Sequence, residues 1–98
     1  MLKLKDDILQ ILLKVFRSYR TIERVIVFSM FSNNSEKIHI AIVGKLLTQV
    51  KFQKIKQNVI AHKLPVKFKI LLYHRIKNQL VFERILLAGK VIYRNVNK

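Results

Sequence analysis

The sequence predicts a small α/β (α+β) fold: a mixed β-sheet backed by helices, in the order helix, strand, strand, helix, strand, helix and a short extended segment. Three observations predict it. Two apolar runs rich in β-branched residues, Arg24–Ser29 (RVIVFS) and Ile38–Val43 (IHIAIV), have the composition of buried strands. The segments around them repeat apolar residues at helical spacing. The composition is globular, with 51% apolar residues, 2 Gly and 1 Pro in 98 residues, which is enough for one modest core. The expectation is a single domain over residues 1–98, without internal repeat or linker.

Each element has its own signal. Over residues 5–19, Ile8, Ile11, Leu12, Val15 and Phe16 share one helical face. Asp6 and Asp7 fall in the first turn and Arg17 and Arg20 at the far end, as the helix dipole favours. The strand RVIVFS follows, then a polar stretch from Ser32 to Lys37 that reads as a turn. The strand IHIAIV ends at Gly44. Thr48 is placed to cap a helix running to about His62, with Phe52, Ile55, Val59 and Ile60 on its core face. Pro65 breaks the chain before a third strand, Val66–Tyr73 (VKFKILLY). The last helix is expected over about 76–88, with Ile76, Leu80, Ile85 and Leu86 as core and Gly89 as a C′ residue. Val91, Ile92 and Tyr93 form a terminal strand or an extended tail packed on the core.

Charge narrows the functional classes. Twenty Lys and Arg stand against five Asp and Glu, a net charge of +15. Such a surface attracts polyanions, acidic proteins or anionic membranes, and a lineage bias toward Lys gives the same composition. With no cysteine, disulfides, thiolate zinc sites and cysteine nucleophiles are excluded. No apolar run approaches the roughly 20 residues that span a bilayer. The charged start, Met1 to Asp7, lacks the apolar core of a signal peptide, so a cytoplasmic protein without membrane attachment is expected. His39, His62 and His74 lack metal-ligand spacing, and Ser29 has no evident base–acid pair near it.

At Arg24–Val43 and Val66–Tyr93 the sequence resembles the minimal nucleotidyltransferases (MNT). These are small proteins with the palm-like fold of the DNA polymerase beta superfamily, and many are antitoxins encoded beside a HEPN-type ribonuclease toxin. VIVF looks like the family's first strand, and IHIAIVGKLL like the strand that carries its Asp-x-Asp. LPVKFKILLY looks like the strand carrying the third Asp, and IKNQLVFERILLAGKVIY is similar to the closing segment. The family transfers a nucleotide with two metal ions held by the three Asp. The pair is spaced i, i+2 because those residues share one face of a strand. Mg²⁺ and ATP or another nucleoside triphosphate are the cofactors the resemblance implies for active members. A Gly-Ser pair after the first strand contacts the triphosphate.

This chain departs from that pattern at each position. Ser29-Met30 follows VIVF in place of Gly-Ser. Lys37 and His39 stand at the paired Asp positions, and Lys69 at the third. The segment from Ser29 to Lys37 is several residues shorter than is usual in the family. The three replacements change the local formal charge from −3 to +2, so 5 of the 15 units of net charge are all they can explain. A divalent cation would meet repulsion where it needs ligands, about 1 kcal/mol per like pair at 4 Å even in water. Asp6, Asp7, Glu23, Glu36 and Glu83 are scattered along the chain and offer no substitute cluster.

Three functional readings follow. The first is a catalytically inactive, antitoxin-like partner of a HEPN-type toxin, in a homo- or hetero-oligomer and without a cofactor; an eroded copy shares the same features. In the second, Lys37, His39 and Lys69 bind a phosphate or nucleotide without metal, against the alternative of solvated lysines at a sheet edge. The third is a nucleic-acid-binding module using Lys51, Lys54, Lys56 and Lys63 with Arg17, Arg20, Lys45 and Lys90, although no RNA-binding or zinc-finger signature is present.

Overall fold

The structure, a computed structural model, describes residues 4–32 and 35–95. Helix α1 (Asp6–Arg17) leads into strand β1 (Arg24–Ser32), which pairs antiparallel with β2 (Ser35–Val43). Helix α2 (Gln49–Ala61) then crosses to β3 (Phe68–Leu72), which lies parallel to β2. A single 3₁₀ turn (Tyr73–Arg75) precedes helix α3 (Gln79–Ala88), and β4 (Lys90–Arg94) pairs antiparallel with β1. The sheet order β3-β2-β1-β4 makes it a mixed four-stranded sheet, as expected, with the terminal segment an edge strand.

Alternation along the strands gives the sheet two apolar faces. Val25, Val27, Ile40, Ile42, Ile70 and Leu72 pack with α1 and α2 in the larger cluster, where Leu12, Phe16 and Ile55 are fully buried. Burying each such side chain contributes about 1.5–3 kcal/mol. Ile26, Phe28, Ala41 and Val43 point the other way and meet Ile85 of α3. Because α3 packs mainly on β1, it covers only part of this second face.

Local chemistry explains several boundaries. The Thr48 hydroxyl accepts from the Lys51 N–H at 3.2 Å and starts α2, as its sequence position predicts. Asn78 does the same for α3, accepting from the Leu80 N–H at 2.9 Å. Just past the end of α2, Lys63 has φ 50°, a left-handed conformation usually taken by glycine. Gly44 passes so close to the Thr21 carbonyl that a Cβ would lie 2.3 Å from its oxygen.

Some sequence expectations need correction. Ser35–Lys37 are strand, not turn, because the β1–β2 ladder continues to the tip; Asn33 and Asn34 lie outside the described residues. The third strand is limited to Phe68–Leu72 by the 3₁₀ turn that follows, and the last helix starts at Gln79 instead of 76, since Ile76 is extended and Asn78 caps the helix. Ile60 is exposed, because at 3.6 residues per turn it lies about 100° from Val59 and about 140° from Ile55, off the buried face of α2. Leu80 and Leu86 are also exposed, because Ile85 with half-buried Val81 and Phe82 forms the face of α3 toward the sheet. Gly89 has φ −69°, so it is no left-handed C′ residue. It is small because a Cβ would lie 2.4 Å from the Ile85 carbonyl oxygen and 2.9 Å from Ile26.

Candidate functional site

Strand register brings Lys37, His39 and Lys69 to one corner of the sheet. His39 lies opposite Lys69 in the parallel ladder, and Lys37 is two residues before His39. Opposed residues on neighbouring strands share a face, as do residues two apart on one strand. The backbone therefore sets these side chains about 4.8 Å apart across the ladder and about 6.7 Å apart along it. This is the face that α3 covers only in part.

Lys67, just before β3, lines the same groove with Lys37 and Lys69. The groove has a volume of about 610 Å³, with Phe68 and Pro65 in its wall and Glu36 as its acidic residue. All three lysines are exposed. The sequence reading passed over Lys67, although the alternation Lys67-Phe68-Lys69 was the signal that would have found it.

His39 differs from the lysines in being buried. Its ring lies against Phe28, with centroids 5.3 Å apart and planes inclined by 36°. Its Nδ1 is 3.3 Å from the Lys37 carbonyl oxygen, to which the Nδ1–H tautomer donates. Burial holds its pKa below the ordinary value of 6.5; the hydrogen bond to Lys37 opposes this, and the charges of Lys69 and Lys37 reinforce it. The ring is therefore neutral at pH 7, between cationic neighbours.

This donor set does not fit a Mg²⁺ pair. Ammonium groups have no lone pair to offer, and hard cations require oxygen ligands. Among the described residues no group of three or more His, Cys, Asp or Glu could hold a metal ion.

Ser29 and Met30 lie within β1, paired with Ile38 and Lys37, and not in a loop shaped around a phosphate. The segment between the strands is short, so β1 runs directly into a hairpin. Ser29 is buried, and its carbonyl accepts from Arg84 Nε at 3.0 Å and its hydroxyl from Nη2 at 3.4 Å. Met30 is half-buried in the smaller cluster.

The remaining lysines do not join this corner as one surface. At 3.6 residues per turn, Lys51 and Lys54 are about 60° apart on α2, while Lys56 is about 140° from Lys51 on the opposite flank. Lys51 and Lys54 are exposed and Lys56 is half-buried. Lys63 instead lies beyond α2, in a depression with Leu64 that adjoins the groove, since Val66, Lys67 and Phe68 line both.

A second surface was missed by sequence reasoning. Leu80, Leu86 and Leu87 on the outer side of α3 are 64%, 84% and 81% exposed. Phe31 on β1 is also exposed, with the Arg84 guanidinium of α3 5.7 Å from its ring centroid. A helix apolar on both sides is normally buried on both. Among the described residues no helix is long and apolar enough to cross a membrane.

No family profile matches the sequence, and no curated protein matches it significantly. Solved structures do match. A chain of the toxin–antitoxin MntA–HepT is similar at 15% identity and a TM-score of 0.66, over 95% of this chain and 75% of that one. A structure of tri-AMPylated Shewanella oneidensis HEPN toxin in complex with MNT antitoxin is similar at 14% identity and a TM-score of 0.61, over 96% and 76% of the two chains. A toxin–antitoxin solved with AMP-PNP gives 14% identity and a TM-score of 0.63, over 91% and 75%. The chain therefore has the minimal nucleotidyltransferase-type fold of these toxin–antitoxin structures.

Proposed function

We propose that this protein is an antitoxin-like binding partner of a HEPN-type toxin and does not itself transfer nucleotides. The observation that carries the reading is the combination of the shared fold with a charge-inverted corner at Lys37, His39 and Lys69. A scaffold kept without its metal ligands is expected where a binding surface, and not chemistry, is under selection. The outer side of α3 supports this, since Leu80, Leu86 and Leu87 are exposed there and nothing among the described residues covers them. The occupant we assign to it is the toxin, because the similar structures are toxin–antitoxin complexes. No cofactor is needed for such a role. A cytoplasmic location accords with an intracellular toxin partner.

The test is co-expression with a HEPN-type toxin, comparing the wild type with a Leu80→Gln, Leu86→Gln, Leu87→Gln variant. The three leucines are exposed, so the variant keeps its fold. The wild type should co-purify with the toxin and relieve growth arrest, and the variant should lose both effects. A wild-type chain that neither binds nor neutralises the toxin contradicts the reading.

A further inference from the structure

We infer that the groove lined by Lys37, Lys67 and Lys69 is a metal-independent binding site for a phosphate chain. The inference concerns a different surface from α3 and does not depend on the toxin partnership.

The register places the cations close together. Lys37 and His39 on β2 stand beside Lys69 on β3, and Lys67 lies two residues before Lys69. Strand geometry spaces the backbone positions by about 4.8 and 6.7 Å, so the flexible ammonium groups can reach one shared volume. Their mutual repulsion is unfavourable when nothing lies between them. Only Glu36 among the groove's lining residues offsets it. A linear polyanion with several oxygens per phosphorus relieves this repulsion by charge-assisted hydrogen bonds to each lysine.

The shape of the corner fits this ligand class. The groove is open, and its volume of about 610 Å³ exceeds that of a single anion. Phe68 and Pro65 give the groove an apolar wall along which the lysine stems can lie. Because His39 is buried and neutral, the lysines supply the charge. The other lysines do not form an equal site, since those of α2 stand on opposite flanks of the helix.

The chain could be inorganic polyphosphate or the triphosphate of a nucleotide, and the experiment separates these sources. Isothermal titration calorimetry is run in EDTA at low ionic strength with sodium tripolyphosphate, with ATP and with a single-stranded RNA oligonucleotide. The Lys37→Gln, Lys67→Gln, Lys69→Gln variant is compared with a Lys45→Gln, Lys51→Gln, Lys54→Gln control that removes the same charge from exposed positions elsewhere. Tripolyphosphate should bind the wild type with one-to-one stoichiometry, weaken at least about tenfold in the groove variant and change little in the control. ATP binding as tightly as tripolyphosphate identifies the phosphate chain as the recognised part; tighter ATP binding that is still lost in the groove variant assigns the site to nucleotides. Equal weakening in both variants, a requirement for Mg²⁺, no tripolyphosphate binding, or binding of RNA alone overturns the inference.

Discussion

His39 and Lys69 face each other across the parallel β2–β3 ladder, and His39 is buried while Lys69 is exposed. One strand pairing thus puts a neutral imidazole beneath a cationic rim. The resemblance implied carboxylates at both positions, drawn together to share metal ions. The register that sets His39 opposite Lys69 would bring two carboxylates equally close, and here it brings an imidazole and an ammonium group together.

The buried imidazole makes stability depend on pH. Its folded-state pKa lies below its unfolded value near 6.5, so the unfolded chain binds the proton more readily. The stabilising contribution is therefore complete above about pH 6.5 and is lost as pH falls through the lower folded value. Unfolding free energy measured by urea at pH 7.5 and pH 5 should fall in acid. The fall should be smaller in a His39→Gln variant, which has no proton to take up there.

Arg84 fastens α3 to the far end of β1. It donates to the carbonyl and hydroxyl of Ser29 and lies over the Phe31 ring. Beyond Val27, β1 has no β4 partner, so Arg84 takes over part of the edge that the ladder leaves open. Arg84→Met keeps the aliphatic stem and removes the donors. Chemical denaturation should show a loss of about 1–2 kcal/mol.

Lys63 adopts a left-handed conformation that costs a residue with a Cβ roughly 1–2 kcal/mol. Lys63→Gly removes that strain and gains unfolded-state entropy in opposition. The net expectation is a stabilisation of about 0.5–1 kcal/mol, read as a higher thermal midpoint. A lower midpoint would mean that the Lys63 side chain contributes packing that outweighs its backbone cost.

Much of the fold was legible in the sequence because its signals were local and agreed. The runs VIVF and IHIAI read as buried strands from composition alone, and Thr48 marked its helix by capping chemistry. Leu80 and Leu86 of α3 were misread as core because amphipathic spacing assumes that apolar residues find core, and both are exposed. The candidate corner was half legible. Lys37, His39 and Lys69 were found through their strand contexts, but their adjacency is a property of β2–β3 pairing, which no local pattern states. The tie between Ser29 and α3 was not legible for a similar reason, since its partner Arg84 is 55 residues away. The shortness of the segment after Ser29 was visible in the sequence, and the hairpin is its structural consequence.

The central claim is that metal-dependent nucleotide transfer is absent because the corner at Lys37, His39 and Lys69 is cationic. It is tested most directly by incubating the purified protein with radiolabelled ATP, Mg²⁺ and the HEPN-type toxin and measuring label transferred to protein. The account predicts no transfer above a blank lacking this protein. Transfer by the unmodified chain, abolished when Lys37, His39 and Lys69 are each replaced by Ala, would contradict it.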